Sequence, residues 1–133
     1  MIRVTDRQQE TLEFFSRANE FELATSELAQ KELLRTPDEQ RRRNLLQRLI
    51  SVKILRIDDD MQALADQYVD APIIPVAYRD DAVHIAAAVL SGQDVLLSWN
   101  FRHLVNRRRR SLVNLLNASR GLPTIEILTP PEL

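Results

Sequence analysis

A chain of 133 residues with 44% hydrophobic side chains has the length and apolar content of one compact domain. Its 28% charged residues, split almost evenly by sign, argue against disorder. The formal net charge of -1 excludes a global positive field that gathers nucleic acid, so any such attraction must come from a local patch. Cysteine is absent, which removes disulfides, thiolate metal sites and cysteine nucleophiles together and fits a reducing, cytoplasmic setting.

The opening MIRVTDRQQE carries no apolar signal-peptide core, and charges interrupt every hydrophobic run short of a membrane span. These features predict a soluble protein with no membrane partner. No repeat, low-complexity stretch or linker divides residues 1–133, which read as a single domain.

Thr11, Leu12, Phe15 and Ala18 mark an amphipathic first helix, with Asp6 and Gln9 spaced as its capping box. Phe21 and Leu23 alternate with Glu22, so residues 21–25 form a short strand. Ser26 then caps a helix to about Arg35. Thr36, Pro37, Asp38 and Glu39 make a helix start, with threonine as cap, proline first and glutamate reaching back. Leu45, Leu46, Leu49 and Ile50 make that helix's inner face, while Arg42 and Arg43 follow Asp38 and Glu39 by four residues, a favourable pairing. Residues 52–57 are the next strand.

Asp58, Asp59 and Asp60 precede Met61, Leu64, Ala65, Tyr68 and Val69, which follow helical spacing. Residues 71–77, with two prolines, connect to a helix opened by Asp80 and Asp81, running over 82–90 and stopped by Gly92. The apolar run 95–97 suits a buried parallel strand. A short helix at 101–105 follows, then one from Asn106 to about Ser119 ended by Gly121. A final strand spans 124–128, and Pro130 and Pro131 end the regular structure. Strands alternating with helices predict an α/β fold, a parallel sheet covered on both faces, with ligands at the carboxyl ends of its strands. The chain opens on a helix, with only Ile2 and Val4 as a rudimentary strand before it.

Three polar positions project to the same edge in this arrangement. Glu32 lies four residues after Leu28 and shares its inward side. Asp81 lies four before Ile85 and seven before Ala88, and Asn100 follows the strand ending at Ser98. Two carboxylates and an amide oxygen suit a hard cation such as magnesium, which activates water and stabilises a leaving oxygen in phosphodiester hydrolysis. Against this, Asp80 and Asp81 are also good helix caps, and Glu32 is equally a solvated helix residue beside a basic neighbour.

His84 sits three residues after Asp81, close enough to share a hydrogen bond, with a structural role favoured over ligation. His103 either contacts substrate or caps the short helix. Trp99 stacks a base or packs on the next helix, the packing role being favoured. Arg107, Arg108, Arg109 and Arg110 begin a helix, where cations oppose the macrodipole by about 0.3–1 kcal/mol each. That arrangement is either a phosphate-binding patch or a solvated face paired with acids elsewhere.

The segment DDAVHIAAAVLSGQDVLLSWNFRHLVN, then VNLLN, a glycine and IEILTPPEL, resembles the C-terminal half of the PIN-domain family in its toxin ribonuclease subgroup; TLEFF, SELAQKEL and TPDEQRRR resemble its upstream part. The resemblance implies a doubly wound sheet with an acidic site using Mg2+ or Mn2+, metal-dependent hydrolysis of RNA, an antitoxin protein partner and a homodimer. It matches Glu32 to the family's helix glutamate and Asp81 to the aspartate of its D-A-x-H segment, and puts Asn100 where many members carry a further aspartate. Arg107, Arg108, Arg109 and Arg110, with His103, would contact the RNA.

Two departures from the family stand out. Its opening strand, ending in a ligand aspartate, has no clear counterpart, so the fold is expected to be N-terminally truncated. The asparagine at 100 lowers the site's negative charge. Both changes weaken metal affinity, and the alternative is a catalytically inactive remnant that binds RNA or protein. With a central strand missing, three arrangements are open: the neighbouring strands close up, Met1 to Val4 fill the gap, or another chain contributes.

Overall fold

The computed structural model describes residues 13–50, 52–98 and 106–133. Asp6 and the helix expected at 101–105 lie outside them. Residues 13–16 are helical, and Ala18–Glu20 form a 3-10 turn. The first strand, β1, is Ala24–Ser26, starting later than the alternation at 21–23 suggests. Ser26 ends it and also caps α1, Glu27–Leu34: extended at φ -105 and ψ 161, it accepts from the Ala29 N–H at 3.0 Å.

The second helix, α2, spans Glu39–Arg48. Its cap is Asp38, which accepts from the Arg41 N–H at 3.2 Å, and not Thr36. Thr36 is spent on the end of α1, its N–H bonded to the Leu33 carbonyl and its own carbonyl accepting from Arg42. The pairing of Glu39 with Arg43 forms at 2.7 Å. The expected inner face does not: α2 buries no residue, Leu45, Leu46 and Leu49 are half-buried, and Ile50 lies past the helix end at 82% exposure. Helical spacing selects a stripe but does not supply a surface to cover it.

β2, Lys53–Leu55, pairs in parallel with β1, with Ala24 opposite Lys53 and Ser26 opposite Leu55. α3, Asp59–Asp70, is capped by Asp58, which accepts from the Met61 N–H at 2.9 Å, and Asp59 and Asp60 favour its positive end. Met61, Leu64, Ala65 and Tyr68 are its buried residues, one stripe at helical spacing. A 3-10 turn at Val76–Tyr78 leads into α4, Arg79–Leu90, whose buried residues are Ala82, Val83 and everything from Ile85 to Val89. Gly92, at φ +78, ends the α4 turn in a conformation that disfavours other residues, while Gln93 bonds back to the Ala88 carbonyl.

β3, Val95–Leu97, pairs in parallel with β4, Glu126–Leu128, and α5, Arg107–Ser119, crosses between them. Asn114 of α5 brackets Ile125, donating to its carbonyl at 2.9 Å and accepting from its N–H at 2.8 Å. A side-chain amide thus takes the place of a neighbouring strand where β4 begins. After β4, Pro130–Glu132 make a 3-10 turn where the sequence predicts only irregular chain.

The molecule is mixed α/β with parallel strand pairs, in line with the alternation of elements. It departs from the expected single sheet, because among the described residues the four strands form two separate sheets, β1–β2 and β3–β4. The neighbouring strands have not closed up. Every fully buried hydrophobic residue among those described lies between Met61 and Ile127. The first half touches this core through Leu28 and Ile57.

Within the core, the Tyr68 hydroxyl donates to Asn117 Oδ1, and both residues are fully buried. Asn117 Nδ2 has no partner among the described residues, so the tyrosine is this amide's one side-chain tie. Burial pushes the Tyr68 phenol well above its ordinary 10.0, an effect only partly offset by the bond to Asn117. Tyr68→Phe should cost about 1–3 kcal/mol, because a buried acceptor loses its donor. The raised phenol adds a stabilising contribution that is complete below the unfolded value of 10.0 and is lost as pH rises beyond it. Urea unfolding at neutral and alkaline pH checks both, since the alkaline fall should shrink in Tyr68→Phe.

Candidate functional site

α1 leaves the carboxyl end of β1. α4 returns to β3 through the tight connection at 91–94, so its first turns lie towards the carboxyl end of that strand. Between them runs a cleft of about 510 Å³, walled by β1 with Phe14 and Phe15 on one side and by β3 with α4 on the other. Glu32 of α1 and Asp81 and His84 of α4 all line it. Carboxyl ends of parallel strands are where such folds place ligands, because helix N-termini and loops converge there.

His84 Nε2 donates to the Glu32 carboxylate, at 3.0 Å from Oε1 and 3.1 Å from Oε2. The expected contact was between His84 and Asp81, one turn apart. The imidazole instead reaches a residue 52 positions away. The His84 side chain is 15% exposed and that of Glu32 43%, so the pair sits at the mouth of the cleft.

Asp81 is not a helix cap. α4 starts at Arg79, and its N-cap residue, Tyr78, makes no side-chain capping hydrogen bond. The arginine at that start is held by Asp66 at 2.9 Å. Asp81 faces the cleft from the first turn of α4, as the stripe through Ile85 and Ala88 predicts. Glu22, Thr25 and Ser26 line the same cleft. Glu22 was legible only as the outward member of an alternating strand. Asn100, His103 and Trp99 lie outside the described residues.

Among the described residues, no group of three or more histidine, aspartate or glutamate side chains is placed to hold a metal ion. Glu32 and Asp81 supply two carboxylates. Both line the cleft, but they belong to no such group of three.

The arginine run divides. Asn106 caps α5, accepting from the N–H groups of Arg108 at 3.0 Å and Arg109 at 3.3 Å. Arg107 and Arg108 are exposed, whereas Arg109 and Arg110 turn inward and are half-buried. Arg110 lies 3.5 Å from Glu132. Hydrogen bonds from the Thr129 backbone and hydroxyl, with Arg110 adding to them, hold the Glu132 carboxyl below the usual carboxylate range. Only the first two arginines therefore stand open to a phosphate backbone. No described helix is long and apolar enough to cross a membrane.

No family model, curated protein or solved structure matches this chain.

The exposure of the Glu32–His84 pair sets its worth. A half-exposed ion pair contributes about 0–1 kcal/mol. Glu32→Gln and His84→Gln should each change the free energy of unfolding by less than about 1 kcal/mol in urea titrations. A larger loss would make the pair a structural tie between the two halves of the chain.

Proposed function

We propose that this chain is a PIN-like, magnesium- or manganese-dependent ribonuclease, the toxin of a toxin–antitoxin pair. The observation that carries the reading is the meeting of Glu32, Asp81 and His84 in one cleft at the carboxyl ends of parallel strands. The sequence resemblance supplies the chemistry, the RNA substrate, an antitoxin partner and a homodimer. Asn100 would be a supporting ligand and His103 a substrate contact by the same resemblance.

Glu32 and Asp81 would hold the cation, which when bound lowers the pKa of a water and steadies charge on a phosphodiester. The chain's own groups do the rest. The two carboxylates repel a bare phosphate, so RNA enters only with cations. His84 holds Glu32 in place through Nε2 until that carboxylate is needed. Arg107 and Arg108, both exposed, would meet the phosphate backbone of an RNA strand.

A second reading, an inactive remnant that binds RNA or protein, is favoured by one observation. Both oxygens of Glu32 are already within hydrogen-bond reach of His84. Calorimetry with magnesium and manganese, beside an RNA cleavage assay with Asp81→Asn as control, separates the two. The nuclease reading expects metal-dependent cleavage that is lost in the control. RNA binding with neither metal uptake nor cleavage establishes the remnant.

The arginines add an independent expectation. Arg107→Gln with Arg108→Gln should weaken RNA binding and reduce the slope of log affinity against log salt by about 2, roughly one per phosphate contact. The matching change of Arg109 and Arg110 should leave the slope nearly as it is. Filter binding over a salt series reads both.

A further inference from the structure

Glu132, beyond β4, reaches back to the first turn of α5, where its Oε2 lies 3.5 Å from Arg110 Nη1. Its other oxygen, Oε1, accepts from both the backbone N–H and the hydroxyl of Thr129, each at 2.9 Å. Thr129 is buried at the end of β4, and Pro130 and Pro131 restrict the backbone of the turn between the two residues. The carboxylate is therefore held in place independently of the arginine it meets.

Glu132 also has an ordinary structural role. A threonine with a glutamate three residues on is a capping box, and the box accounts for Oε1. It does not account for Oε2, which the box leaves over and which stands beside the arginine run. As a stabilising contact the partly exposed pair is worth little. Its larger effect falls on what Arg110 can offer an anion.

Counterion release gives the reason. An arginine that neutralises a phosphate frees the cation condensed there, and each such contact adds about one to the slope of log affinity against log salt. Arg110 gains a phosphate only by leaving a fixed carboxylate, which then needs a cation of its own. That exchange releases no net ion. Arg107 and Arg108, by contrast, are exposed.

We propose that Glu132 is a built-in competitor for RNA phosphate, a carboxylate that occupies Arg110 and confines the basic patch to Arg107 and Arg108. This rests on the RNA-binding reading of those two arginines. It adds a limit on RNA affinity set by the chain itself, because Oε2 takes the place at Arg110 that a phosphate oxygen would take.

The test measures binding of a labelled single-stranded RNA of mixed sequence to the whole chain over a salt series, in EDTA so that no cleavage intervenes. Glu132→Gln keeps an oxygen for the Thr129 bonds, since glutamine also serves in capping boxes, and removes the charge beside Arg110. It should bind RNA more tightly and steepen the slope by about 1, the mark of one added phosphate contact. Adding Arg110→Gln to it should return the slope to that of the unchanged chain, and Arg110→Gln alone should leave the slope as it is. A slope unmoved by Glu132→Gln would overturn the proposal. So would a gain that persists when Arg110 is also changed, which would make it an effect of net charge. A fall of about 1 in Arg110→Gln alone would overturn it without any variant at 132, by showing that Arg110 already meets phosphate. Failure of the unchanged chain and of Glu132→Gln alike to bind RNA would remove the RNA-binding reading, and this proposal with it.

Discussion

The fold rests on the packing of α3 against α4. Alanines at 65, 82, 86 and 87 let the two helices approach closely, and Tyr68, Val83 and Ile85 fill what remains. Close helix contact suits this composition because a small side chain costs little conformational entropy on burial and leaves the larger neighbours to set the fit. β4 enters the same core through Ile127, with Ile125 just before it, and α5 through Val113 and Asn117. The Tyr68–Asn117 hydrogen bond then fixes α5 against α3 at a point where both polar groups are out of water. A mis-set α5 would leave two buried polar groups unmatched, so this contact specifies an arrangement more than it adds stability.

Among the described residues, the first half of the chain meets that core at few points. Leu28 and Ile57 pack against it, and Glu32 meets His84. None of these is a fully buried apolar contact, and burial of apolar surface is the main source of cohesion between elements. The cleft follows directly. Where two halves share no strand pairing and meet through partly buried side chains and a polar contact, the surface between them stays open to water. Its lining then carries whatever charge the sequence places there, and in this chain that charge is Glu22, Glu32 and Asp81 against one histidine.

Such a cleft is electrically lopsided. Carboxylates gathered at strand ends repel one another in a space that is partly shielded from solvent. Their repulsion favours a cation, a protonated partner or a donor side chain. His84 meets part of this demand at Glu32. The open arginines, Arg107 and Arg108, stand on the first turn of α5, where the helix dipole gives them no support. Acidic cleft and basic patch are thus both arrangements that an anion or a cation would stabilise, and local packing alone does not explain either.

Much of this was legible in the sequence because its cause is local. Ser26, Asp58 and Asn106 cap helices as a short polar side chain before an amphipathic run should. Gly92 and Gly121 end helices because their positive φ asks for glycine. The stripe of α3 is a matter of period, and so is the direction of Asp81. The sequence by itself determined elements, the caps at Ser26, Asp58 and Asn106 but not those at α2 and α4, strand direction and the side of α4 that carries the carboxylate. Only tertiary structure decided the rest: that α2's leucines are no more than half-buried, that the described strands make two sheets, that His84 pairs with Glu32, and that the arginine run splits. Each of these depends on what lies opposite a residue, at separations as large as the 52 positions between Glu32 and His84, and no local period encodes what stands across a gap.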